Sequence, residues 1–136
     1  MNKQSFSSNK DPQVFLKHIL ESIGWIEKET EVVSKDEFIK NVPTQDIVIR
    51  RLEMIGEAVK NLPGDFKKKC PDVPWQKISG LRDKLIHGYF GIDLELVWEI
   101  IKKDLPLFKI QIQHMLRDKQ LRSYSPLAVK KVYGKG

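Results

Sequence analysis

Arg82, His87 and Tyr89 fall within eight residues of one another, in the stretch Leu-Arg-Asp-Lys-Leu-Ile-His-Gly-Tyr that begins at Leu81. An imidazole titrates near neutrality, so His87 can take a proton from a ribose 2′-hydroxyl or give one to a leaving 5′-oxygen. The guanidinium of Arg82 is always charged, and its planar fork matches a phosphate. It can therefore stabilise charge growing on a phosphorane. Together the pair suffices in principle for metal-independent RNA cleavage, with attack by the RNA's own 2′-oxygen and a 2′,3′-cyclic phosphate as product. The same residues also fit a plainer role: a helix-end histidine, a salt-bridged arginine and an interfacial tyrosine. Spacing alone leaves both open.

The elements that must position these groups can be read around them. Leu81, Leu85 and Ile86 give the stretch an apolar helical face, and Gly88 and Gly91 then end the helix. Arg82 and His87 should sit near a helix C-terminus, held by packing and close to a surface. Five residues on a regular helix separate two side chains by roughly 140° around the axis. One chain would converge them on one atom only if the helix unwinds at Gly88. A two-fold dimer that brings two copies of the stretch together does so more easily.

Before this stretch, Asp11-Pro12 reads as a cap followed by proline in the first turn. Val14, Phe15, Ile19, Ile23 and Ile26 predict a helix from Pro12 to about Thr30, and Gly24 either weakens it or admits another helix. Ser34 to Glu37 is a capping box that should open a short helix ending near Asn41. Thr44 can cap the next helix, in which Val48, Leu52, Ile55, Val59 and Leu62 form a seam that wants a partner. Residues 63–74 read as a loop with at most one helical turn. Pro74 then opens the helix that carries the central stretch, with Trp75 and Ile78 on its apolar side. Asp93 caps the last helix, where Leu94, Val97, Ile101, Leu105, Phe108, Ile112 and Met115 make a second seam. Pro106 should kink or split that helix. No strand alternates and no repeat appears. The expectation is an all-α, up-and-down bundle of four main helices plus a short one. The two long seams leave room for a homodimer.

At 136 residues the chain suits one domain with a real core. The reading assigns residues 1–10 to a disordered N-terminus, 11–121 to the bundle and 122–136 to a basic tail. No run approaches the roughly 18 apolar residues of a membrane span, and the N-terminus lacks a signal-peptide core. Cys70 is the single cysteine, which excludes an internal disulfide and a cysteine metal cluster. A cytoplasmic protein is the default. Of the net charge of +6, the segment from Arg117 to Gly136 carries +5. Such a tail, with Lys130 and Lys131, can hold nucleic-acid phosphates without sequence preference or be a solvated end. Lys67, Lys68 and Lys69 could add phosphate contacts or simply confer solubility. His18 and His114 have no partner at helical metal-site spacing and read as partly exposed helix residues. No metal site or cofactor is expected.

Arg82-Asp83-Lys84-Leu85-Ile86-His87 matches the R-x4-H motif of HEPN domains. The longer R-x4-H-x-Y form, ending at Tyr89, resembles the HepT toxins that partner MNT nucleotidyltransferase antitoxins. Asp46–Gly56, Val73-Pro74-Trp75 and Tyr89–Asp93 are typical of that family in the same order, and the resemblance runs from about Asp11 to Met115. It implies a homodimeric helical bundle with the motif at the interface, and a metal-independent endoribonuclease toxin of a toxin–antitoxin system. By position Arg82 and His87 correspond to the catalytic pair, and Asp83 to a polar residue that helps orient the site. Tyr89 corresponds to the tyrosine that receives AMP from the antitoxin. An added phosphate there would repel RNA phosphates and block substrate. Two other readings stand beside it: a non-catalytic helical binding partner of a nucleotidyltransferase, and a plain dimerisation module.

Overall fold

Side-chain caps fix where most of the long helices start. In the computed structural model, which describes residues 11–85 and 91–122, the Asp11 carboxylate accepts from the Gln13 N–H and opens α1, Pro12–Thr30. Ser34 and Glu37 exchange hydrogen bonds as a full capping box and open α2, Lys35–Lys40. The bond from the Ser34 N–H holds the Glu37 carboxyl below the usual carboxylate range. The next helix, α3, spans Val42–Asn61 and is capped by Asn41, whose side-chain oxygen accepts from the Thr44 N–H. This corrects the assignment of the cap to Thr44. Pro43 fits inside the first turn, where its missing N–H costs nothing, and Thr44 is buried.

The chain continues through α4, Gly64–Lys68, the one turn expected in the loop. Then come α5, Trp75–Ser79, and α6, Leu81–Leu85. Asp93 accepts from the Leu96 N–H and opens α7, Leu94–Glu99. A π-helical turn over Ile100–Asp104 leads into α8, Leu105–Arg117, and α9, Lys119–Arg122, closes the described chain. The described residues form helices and no strand, an all-α architecture as expected.

The core lies where α1, α3 and α8 meet. Ile19, Ile23 and Ile26 of α1 are fully buried against Val48, Leu52, Ile55 and Val59 of α3, with Phe108 and Ile112 of α8 closing the third side. Both predicted seams are therefore consumed inside one chain, and neither is left over for a second copy. On α1 the inward residue is Leu16, whereas Val14 is about half exposed. Gly24 admits no neighbouring helix, since the space beside it is open.

Two departures concern the last helices. The helix expected from Pro74 through Ile86 is broken at Gly80, and the break separates α5 from α6. Pro106 does interrupt the last helix, by a particular route. Its ring would clash with the carbonyl four residues earlier in a regular α-helix. The chain widens instead, so that the Leu105 N–H reaches back five residues to the Ile100 carbonyl. Cross-ties fix the wide turn and the ends of the bundle. Lys77 and Asp104 approach to 3.6 Å, Lys109 reaches Glu27 at 2.9 Å, and Lys35 pairs with Glu95.

The contact that places α5 is a close one. A Cβ added at Gly56 on α3 would stand 3.2 Å from the Ile78 carbonyl oxygen and 3.5 Å from that of Ser79. Substituting Gly56→Leu should therefore force α5 off α3, with a loss of about 1–3 kcal/mol of the kind that overpacking produces. A thermal melt reads this directly, and an unchanged midpoint would mean that α5 is not seated there.

Candidate active site at the end of the α5–α6 arm

Lys67 on α4 donates to the Val59 carbonyl near the end of α3 at 3.1 Å. The Trp75 indole N–H donates to the carbonyls of Lys67 and Cys70, at 3.1 and 3.0 Å. Trp75 thus starts α5 beside the C-terminal part of α3, and Ile78 comes opposite Gly56. The arm runs antiparallel to α3. Trp75 also meets the edge of Phe108 at 6.3 Å between ring centroids, which ties it to α8.

Beyond Gly80 the helix resumes, with the Lys84 N–H donating to the Gly80 carbonyl at 3.1 Å. Leu81 and Leu85 are buried and anchor α6 to the core, while Asp83 and Lys84 between them are exposed. The backbone of Arg82 lies in the first turn of α6. His87 and Tyr89 fall outside the described residues, as do Lys130 and Lys131. The chain's re-entry is well defined. The Asp93 N–H donates to the Leu85 carbonyl at 3.2 Å, which ties the start of α7 to the end of α6. Gly91, at φ +85°, takes a left-handed conformation that favours glycine. This is the second of the two glycines read as helix breakers.

The structure sorts the lysines. Lys67 is half-buried and its ammonium donates to the Val59 carbonyl of α3, whereas Lys68 and Lys69 are exposed. Cys70 is partly buried, and desolvation pushes its thiol up from the ordinary value, with Asp118 adding to the shift. His18 is 62% exposed with Glu21 3.9 Å away, and His114 is exposed. Both match the expectation of helix-surface histidines.

Sequence reasoning passed over Glu53. It lies one turn before Gly56 on the same flank of α3, and it is half-buried. The signal was available: an acid one turn from a glycine on the flank of a helix whose seam is otherwise apolar. A cavity of about 100 Å³ lies behind the arm, between Ile55, Ile78, Leu81, Ile100 and Phe108. Its lining is mainly apolar, with Lys77, Lys103, Asp104 and Gln111 as its polar members, of which Lys77 and Asp104 pair with each other. Among the described residues no helix is long and apolar enough to cross a membrane.

Comparison with known proteins adds the following. The family model described as ribonuclease HepT-like matches residues 19–115. A Methanocaldococcus jannaschii protein named as a putative RNase is 49% identical over 109 residues, which is 80% of this chain and 90% of that protein. A Thermococcus cleftensis protein named as a probable ribonuclease HepT is 45% identical over 102 residues, 75% of this chain and 90% of the relative. A second M. jannaschii protein, named as a gamma-glutamylcyclotransferase and putative RNase, is 47% identical over 109 residues. The match spans about half the length of that relative, 49%. No solved structure gives a significant match.

The sorting of the lysines is testable. Lys67→Met should lower stability by about 1 kcal/mol, the usual worth of one such hydrogen bond, and leave the salt dependence of RNA binding unchanged. Lys68→Gln with Lys69→Gln should leave the melting temperature nearly unmoved. A reduced salt slope for Lys67→Met would return that lysine to the RNA surface.

Proposed function

The chain belongs to the ribonuclease HepT-like family of HEPN-type endoribonucleases, and from that premise we propose that it is a metal-independent RNase toxin restrained by a nucleotidyltransferase antitoxin. The observation that carries the reading is the seat of the motif. The R-x4-H-x-Y segment starts on a helix pinned by Leu81 and Leu85, and Asp93, beyond the motif, donates its N–H back to the Leu85 carbonyl. Catalysis by positioned side chains needs such rigid supports at both ends of a short segment.

In the proposed reaction the imidazole of His87 accepts the proton of a ribose 2′-hydroxyl. The 2′-oxygen attacks the adjacent phosphorus, the bond from phosphorus to the 5′-oxygen breaks, and that oxygen leaves with the proton that the imidazolium gives back. The products are a 2′,3′-cyclic phosphate and a free 5′-hydroxyl. Arg82 supports the charge on the phosphorane oxygens. Asp83, exposed on the same helix, serves as a polar support for the site. The functional unit is a homodimer with the two motifs at the interface.

Control would act on Tyr89. The antitoxin, an MNT-type nucleotidyltransferase, would bind ATP. The Tyr89 hydroxyl would attack its α-phosphorus and pyrophosphate would leave. The new phosphodiester sets negative charge where RNA phosphate must bind, so repulsion and bulk exclude substrate. The alternative, a helical partner that binds a nucleotidyltransferase without cutting RNA, has no separate observation in its favour.

The test is RNA cleavage in EDTA by the unmutated protein and by His87→Ala, with analysis of product ends. Cutting by the unmutated protein alone, with 2′,3′-cyclic ends and a loss of at least about a hundredfold in the variant, is expected for a general acid–base residue. Cutting that survives His87→Ala would remove the histidine from the mechanism. For the control step, Tyr89→Phe should still cut RNA but gain no AMP mass from the antitoxin and ATP, and should stay toxic when the two are co-expressed. Neutralisation of Tyr89→Phe equal to that of the native protein would overturn the role of Tyr89.

A further inference from the structure

The chain has three tryptophans, and two of them have structural roles. The Trp75 indole N–H is bonded to two carbonyls, and Trp98 packs on the buried Phe38 at 5.3 Å between ring centroids. Trp25, on the outside of α1, has neither role. It keeps 41% of its surface in water. Among the described residues its N–H finds no acceptor and its ring no aromatic neighbour.

Two cations meet this ring instead. The Lys28 ammonium stands 5.3 Å from the ring centroid and the Arg51 guanidinium 5.4 Å. Lys28 comes from the next turn of α1 and Arg51 from α3, so the cluster bridges two helices. Arg51 is the anchored member: it is half-buried and donates to the Oγ of buried Ser22 at 3.5 Å. Lys28 is exposed on a flexible stem. Among the described residues neither cation has an ion-pair partner. Glu21, one turn before Trp25, lies 3.9 Å from His18 instead. Glu29, one turn after it, is half-buried and pairs with neither cation. Two uncompensated positive charges beside an exposed indole suit a group that is aromatic and anionic at once.

We propose that Trp25, Lys28 and Arg51 form a platform for one unpaired nucleotide of an RNA strand. This deepens the ribonuclease reading above, on which it rests, by giving the substrate a second point of attachment. The base stacks on the indole and displaces Lys28 from a weak surface contact. The released ammonium and the anchored guanidinium then meet the flanking phosphates. Stacking of this kind tolerates any base, because every base has a π face. Inside a duplex those faces are already covered by neighbouring bases, so the platform selects single strands. It also stands apart from the motif. Arg51 is five residues from Gly56, hence about 140° around α3 from the flank that seats the α5–α6 arm. The nucleotide held at Trp25 is therefore not the one whose phosphate is attacked. The platform retains and registers the strand while another part of it is cut.

The probe is a labelled RNA strand without secondary structure, 2′-O-methylated so that no 2′-hydroxyl is left to attack. Its affinity for the full chain is read by fluorescence anisotropy. Trp25→Ala should weaken binding about tenfold, within the usual worth of one stacked base, and Trp25→Phe should keep most of the native affinity. Lys28→Gln and Arg51→Gln should each lower the slope of log affinity against log salt by about 0.7. Iodouridine in the strand should crosslink under ultraviolet light to the peptide that holds Trp25. With cleavable RNA, the loss in Trp25→Ala should fall on KM rather than on kcat. Native affinity in Trp25→Ala overturns the platform, and so does an equal loss in Trp25→Ala and Trp25→Phe, which would mean a structural role. A duplex of the same sequence bound as tightly, with the same dependence on Trp25, overturns the unpaired base. Displacement of the strand by AMP at equal nucleotide concentration makes this a free-nucleotide site and overturns the strand. RNA held through Trp25 by a chain that cuts nothing leaves the platform standing and removes the ribonuclease reading instead.

Discussion

The fold depends most on one backbone contact, the approach of Gly56 to the carbonyls of Ile78 and Ser79. A Cβ at that position would need α5 to shift by a few tenths of an ångström, and a larger side chain would push it further from α3. With glycine there, the two helices close until their backbones nearly touch, and α6 inherits its position from that contact. The indole of Trp75 secures the start of the arm through two backbone carbonyls, and Leu81 and Leu85 secure its end in the core. These anchors act together. The arm is thus held at three places along its length, at Trp75, at Ile78 and Ser79, and at Leu81 and Leu85.

A second constraint works from the opposite side. Pro106 forbids a regular helix through residue 102, and the resulting π turn pushes Ile100 and Asp104 toward the arm. Asp104 meets Lys77 of α5 there. The arm is thus held between a helix that lacks a side chain and a helix that carries an extra residue in its turn. Both irregularities serve the same small element, which fits a fold whose working segment is short and must not drift.

Much of this was legible in the sequence, because most of the controlling signals are local. The caps at Asp11, Ser34 and Asp93 and the seam of α3 follow from residue type and spacing, and all recur in the structure. The misreadings involve choices settled by tertiary contact. Asn41 and Thr44 are both good caps, and burial of Thr44 decides for Asn41. Gly24 and Gly56 look alike in a helical pattern, yet one faces open space and the other a neighbouring backbone. Lys67 reads as one of three surface lysines, but its stem crosses the α3–α4 corner and its ammonium reaches Val59. The two seams look like surplus contact area, but a bundle of this size needs both to build its core.

That last point changes the physical basis for a dimer. A seam of buried apolar residues would give a permanent assembly, driven by the area removed from water. The outer side of α3 is mixed: Ile47 and Met54, the opposite charges of Arg50 and Glu57, and the Asn61 amide. Its apolar part is small, and its charges favour one orientation over others. An interface of this kind fixes geometry more than it maximises affinity. In the proposed homodimer orientation is the quantity that matters, since a catalytic arginine and histidine misplaced by an ångström would lose most of their joint effect on a phosphodiester.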